Sequence, residues 1–289
     1  MEEVPMATRR YSPTVRRRRL ASELRHLREE RGLTIDQVAA EIDWHATKLS
    51  RFETGRRAIQ PSDVRALIAV YDVRAPESDR LLTLAREARQ RGWWHTYGEA
   101  VPDWFEAYVG LESEATSLRV YEAEFVPGLL QTESYIRAVY RAGLIGDEDI
   151  EQRIAVRLAR QQLLTGPEAP HLWAVVNEAA IRRMVGGPEA MREQLLRLVE
   201  ASELRNVTLQ VLPFSVGAHA AMDGPFHVLG FGSDDPDVVY IEYTTGTLYL
   251  EKTPEVERYT LMFDHLRAAA LPVEASRTLI AKIAAELGR

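Results

Sequence analysis

Two groups of side chains in this sequence have types and spacing that could do chemistry. In the second half, Arg157, Arg160 and Gln161 stand at i, i+3, i+4 and share one face of a helix. That face could line an anion or partner site, or be paired internally, the commoner fate of surface charge. His219, Asp223 and His227 lie within nine residues and include metal-ligand types. Gly217, Gly224 and Pro225 make that stretch a loop, and no orienting outer shell accompanies it, so no metal is expected. Glu178 and Glu242 could form an acid–base pair, but nothing in the spacing sets their separation. The chain has no phosphate-cradling glycine loop, no GxSxG, no HExxH and no dinucleotide fingerprint, so neither an enzyme nor a cofactor is expected. The first quarter differs in kind: Arg16, Arg17, Arg18 and Arg19 run together. Residues 1–75 carry a net charge of +4 and the remainder −11, although the whole chain is at −7. A basic head on an acidic body is what one phosphate-touching domain produces.

The elements that must position these groups follow from periodicity. Residues 1–19 lack it and read as a flexible basic arm. Short helices with tight breaks fill 20–75: Leu20, Leu24 and Leu27 repeat at helical spacing until Gly32 stops the helix. Thr34 and Gln37 form a capping box for a second helix through Val38, Ala39, Ala40 and Ile42. A third spans about 46–54, with Leu49 and Phe52 inward and Gly55 as its stop. Pro76 opens a further helix, so 76–100 reads as a helical linker. Residues 101–289 read as mixed α and β. Helices are expected at about 103–121, 132–141, 148–164, 178–185, 188–202, 254–269 and 273–287. Strands are expected at about 171–176, 207–212, 225–231, 238–243 and 247–251. The fold class expected is multi-domain, an all-α head followed by an α+β body.

The stretch from Gly32 to Arg57, GLTIDQVAAEIDWHATKLSRFETGRR, resembles the helix-turn-helix of phage-repressor-type (lambda-repressor-like, Xre-family) regulators. The string from Leu49 to Arg57 is its most specific part. The resemblance implies that the third helix enters the major groove of double-stranded DNA with its outward residues on base edges. By position those are Ala46, Thr47, Lys48, Ser50 and Arg51. Arg51 suits guanine, because its planar fork can bond O6 and N7 together. Phosphates would fall to Arg56, Arg57 and the run Arg16, Arg17, Arg18, Arg19. Two positions depart from the pattern: Asp43 stands at the turn glycine and His45 at the small capping residue.

The body resembles that of WhiJ-like actinobacterial regulators. The resemblance rests on Val126–Tyr135, Arg157–Gln161, Asn177–Arg183, Leu209–Phe214, Asp223–Phe226 and Val239–Glu242 in order. It implies a transcription regulator, expected as a homodimer, with a small antitoxin-like partner protein encoded by a neighbouring gene. Arg157, Arg160 and the loop residues Gly217, Ala218, His219, Asp223 and Gly224 are the expected partner surface. The competing class is a small-molecule sensor or enzyme with the body as its pocket. The absence of cysteine, signal peptide and long apolar run points to a cytoplasmic, nucleoid-associated protein and no membrane.

Overall fold

The computed structural model describes residues 13–55, 57–90, 92–143, 150–232, 236–244 and 246–288. The chain divides into two compact units, one reaching His95 and the other running on from Thr96. Among the described residues no helix is long and apolar enough to cross a membrane.

The head is five helices: α1 (Pro13–Glu30), α2 (Ile35–Glu41), α3 (Ala46–Glu53), α4 (Pro61–Val70) and α5 (Glu77–Glu87). Each break has a local cause. Gly32 and Gly55 both stop helices at φ +66°, a left-handed backbone that a Cβ disfavours. Asp43 takes φ +55° between α2 and α3, as its short polar side chain allows. The Gln37 amide donates to Thr34 Oγ1 at 3.2 Å, and the Thr34 amide to Gln37 Oε1 at 2.8 Å, completing the expected capping box. Leu20, Leu24, Val38, Leu49, Phe52 and Leu67 meet in one core. Burying each such side chain contributes about 1.5–3 kcal/mol.

Two features differ from the reading by periodicity. Residues 13–19 are not part of an arm but the first turns of α1, because Val15 and Leu20 are buried and commit the arginines between them to a helix. Within the span read as a linker, Leu81, Leu84 and Ala85 of α5 are buried in the same core as Leu20 and Leu24. Limited proteolysis is therefore expected to spare α5 and release a head ending beyond Ala88. A first cut inside 77–87 would contradict that placement.

The body is built on a six-stranded sheet, order β3-β2-β1-β4-β5-β6. Its elements are α6 (Asp103–Glu114), β1 (Ser117–Glu122), α7 (Glu133–Ala142), α8 (Ile150–Gln161), β2 (His171–Asn177), α9 (Glu178–Arg182), α10 (Pro188–Ala201), β3 (Val207–Leu212), β4 (Phe226–Gly230), β5 (Val238–Tyr243), β6 (Gly246–Leu250), α11 (Thr253–Ala269) and α12 (Val273–Glu286). β1, β2 and β3 are parallel and linked by helical crossovers, while β4, β5 and β6 form an antiparallel meander beside β1. Sequence periodicity placed 117–121 in a helix. The structure makes 117–122 the strand on which the two halves of the sheet meet. Tyr121, Phe226, Val228 and Val239 face α11, where Phe263 and Leu266 are buried against them. On the other face Tyr108 of α6 lies 4.2 Å, ring to ring, from Tyr240.

Candidate nucleic-acid interface

The outward face of α3 follows from what its inward face buries. Leu49 and Phe52 are in the head core, and Trp44 meets the Phe52 ring edge-on at 5.7 Å. Thr47 and Arg51, one turn apart, are then left exposed, and Arg57 is exposed just beyond the helix. Thr47, Lys48, Arg51 and Arg57, with Asp43, Trp44 and His45, line a solvent-open depression of about 530 Å³. Three cationic side chains around one concavity suit an anionic backbone or a guanine edge. The Arg57 amide donates to the Arg51 carbonyl at 3.2 Å, so the turn after α3 holds both arginines on the same side.

Not every expected contact residue is equally available. Lys48 Nζ lies 3.6 Å from the centroid of the Trp44 ring and 3.0 Å from Asp63 Oδ1, so its charge is partly spent within the head. Ala46 and Ser50 are half-buried and stand outside the depression. His45 caps α3 without a side-chain hydrogen bond, which leaves the first amides of α3 unserved by it. Arg56 lies outside the described residues. Arg16 is buried and paired with Glu87 at 2.7 Å, a correction to its reading as a phosphate contact. Arg17 and Arg18 are half-buried in α1, and Arg19 Nε donates to Glu23 at 3.1 Å.

What holds α3 was missed by inspection of the sequence. Arg28 Nε and Nη2 donate to Glu53 Oε1 and Oε2 at 2.7 and 2.8 Å, and its Nη1 donates to the Leu33 carbonyl at 2.8 Å. This buried fork ties the end of α3, two residues from Arg51, to α1. The hydrogen bond and charge of Glu53 raise the Arg28 pKa despite burial.

In the body the same motif recurs at Arg160, which corrects its reading as a partner-facing residue. Its Nε and Nη2 donate to Glu112 Oε2 and Oε1 at 2.7 and 2.8 Å, with both side chains buried. Burial opposes the guanidinium charge, but the Glu112 charge and hydrogen bonds outweigh it, so the Arg160 pKa rises. Tyr108 donates to Glu112 at 2.9 Å and lies 3.0 Å from His227 Nδ1, and His227 Nε2 is 3.1 Å from Glu122. Burial and then the Glu112 charge push the Tyr108 pKa well up, keeping its proton in place. Arg157 is half-buried, donates to Gln131 at 2.7 Å and stacks over Tyr140.

His219 and His227 do not converge. Tyr121 and its neighbour across from Val120, His227, point to opposite faces of the sheet, and His219 is 3.4 Å from the Tyr121 hydroxyl. Among the described residues no three His, Cys, Asp or Glu side chains gather as a metal site. Gly217, Ala218 and Asp223 are exposed, while His219 and Gly224 are half-buried. Glu178 accepts from the Phe214 amide at 2.9 Å and from Arg182 at 2.6 Å, and Glu242 accepts from Tyr240 at 2.6 Å, so each carboxylate has its own local task.

A capped two-helix reader with an exposed cationic face, set on a separate mixed-sheet body, defines a helix-turn-helix protein with a large second domain. Residues 19–81 match a family described as a helix-turn-helix domain, which supports a DNA-binding regulator. Residues 105–282 match the family described as a domain of unknown function (DUF5753), and the chain belongs to that family. No curated protein and no solved structure matches this chain.

Proposed function

We propose that the protein is a sequence-specific transcription regulator of the Xre, WhiJ-like kind, acting as a dimer on paired half-sites. The observation that carries this reading is the shared depression of Thr47, Lys48, Arg51 and Arg57 on the exposed side of α3. In it Arg51 reads a guanine, with Thr47 and Lys48 beside it, and Arg57 holds a phosphate. Ala46 and Ser50 are the outer candidates for base contact. The body joins two copies and takes a small partner protein, for which the resemblance to WhiJ-like regulators is the support. The exposed loop residues Gly217, Ala218 and Asp223 remain eligible for such contact, whereas Arg160 is committed to Glu112.

Selection from a random duplex library tests the head. A single preferred site should emerge, with affinity falling steeply as salt rises. Arg51→Ala should then cost about 1–3 kcal/mol at one base pair, while Arg57→Ala should weaken every sequence alike and reduce the salt slope by about 1. If Arg51→Ala leaves preference unchanged at all positions, another residue reads the groove. Affinity for the selected site, measured with and without the product of the adjacent gene, tests the body. No change on addition of a product that binds would remove the regulatory coupling.

A further inference from the structure

The depression beside α3 holds one side chain that attraction for a polyanion does not explain. Lys48, Arg51 and Arg57 suit phosphate, but Asp43 lines the same concavity and its carboxylate is exposed. Among the described residues no cation closes on it. Lys48 pairs instead with Asp63 at 3.0 Å, Arg57 lies over the Phe52 ring at 6.0 Å, and the Asp43 side chain makes no hydrogen bond or ion pair. The turn nevertheless fixes where it stands. The Asp43 backbone sits at φ +55°, the next amide, of Trp44, donates to the Ala39 carbonyl at 2.8 Å, and the Trp44 ring meets Phe52 edge-on at 5.7 Å. Phe52 is buried, so the carboxylate is presented by a turn anchored in the head core.

We propose that Asp43 is a specificity-determining residue that reads a cytosine. The proposal rests on the DNA-binding reading of α3 and adds a second base position to it. A carboxylate facing a duplex is repelled by the phosphates. The partners that the major groove offers it are exocyclic amines, N4 of cytosine and N6 of adenine. Adenine sets its N7 acceptor beside that amine, where it opposes the second carboxylate oxygen. Cytosine has only a C5 hydrogen there, while guanine and thymine present acceptors or a methyl group. Cytosine is therefore the base that the carboxylate favours, and wherever no amine meets it the charge costs affinity, which is selection by rejection. A concavity of about 530 Å³ is on the order of 10 Å across, roughly three base-pair steps of about 3.4 Å. Asp43 and Arg51 can thus reach neighbouring pairs of one duplex.

Selection from a random duplex library, with wild type, Asp43→Gly and Asp43→Asn in parallel, tests it. Glycine adopts the +55° backbone freely and asparagine tolerates it, so the turn folds in both. The wild type should prefer cytosine at one position by about tenfold. Asp43→Gly should abolish that preference and keep the position read by Arg51. It should also raise affinity for mixed-sequence duplex about threefold at low salt, a gain that fades as salt screens the charge. Asp43→Asn should exchange cytosine for adenine at the same position, since an amide can bond adenine N6 and N7 together. A residue that merely shaped the turn would produce neither the exchange nor the gain. If the selected site keeps every base preference in both variants, the proposal is overturned and the regulator reading stands. A wild type that binds no duplex even at low salt overturns the regulator reading, and the proposal with it.

Discussion

Replacing Glu53 by alanine is expected to cost the head about 3–5 kcal/mol, because it strands the Arg28 guanidinium in a buried site without its carboxylate. The loss reaches function through position. Glu53 is the last residue of α3, and the fork from Arg28 fixes that end of the helix relative to α1 and the Leu33 carbonyl. Arg51 and Arg57 flank it, so a loosened end should blur the side on which both are presented. Chemical unfolding followed by circular dichroism should show the head transition moved to lower denaturant. Duplex affinity should fall along with it, even at denaturant concentrations where the head stays folded. Arg28→Met with Glu53→Leu should recover most of the stability, since no charge is then stranded. Recovery of stability without recovery of DNA preference would assign the pair a positioning role. A Glu53→Ala variant that unfolds with the wild type would show that the fork contributes nothing net.

The second large effect is expected in the body, from Arg160→Ala. Glu112 would be left buried with only the Tyr108 hydroxyl as donor, at a cost of about 3–5 kcal/mol. Arg160 also lies over the Phe105 and Tyr108 rings, at 4.9 and 5.3 Å from their centroids, so truncation removes packing as well as charge. Because the chain forms two compact units, the body transition should move and the head transition should hold. Glu112→Gln, which keeps an acceptor for Arg160, should be milder than Arg160→Ala. Equal melting of Arg160→Ala and wild type would mean that the surrounding side chains close over the gap and that water reaches Glu112.

Much of the head is legible in the sequence because its signals are local. A capping box spans four residues, a left-handed stop needs one glycine, and an apolar face repeats every turn, so 20–55 could be laid out without knowledge of the rest of the chain. The exposed face of α3 follows once Leu49 and Phe52 are known to be inward. The arginines of 16–19 show where this ends. Their charge suggested an arm, but Val15 below them and Glu87 on α5 draw them into a helix and bury Arg16.

In the body the composition and helix positions could be read, but the centre of the sheet could not. Tyr108, Leu111, Ala115 and Leu118 continue a helical spacing straight through the true end of α6 at Glu114. Residues 117–122 become a strand because β2 and β4 supply hydrogen bonds on either side, from partners about 50 and 110 positions away along the chain (Ser117 with His171 and with Gly230). The Arg160–Glu112 fork spans 48 residues, and Arg28–Glu53 spans 25. Nothing within a helical turn of either arginine marks which carboxylate it will meet. The sequence by itself determined a basic helix-turn-helix head on an acidic α+β body, because caps, stops and periodicity are fixed by neighbours in the chain. Tertiary structure alone decided which arginines are spent inside and which face outward, because burial and pairing depend on residues that only folding brings together.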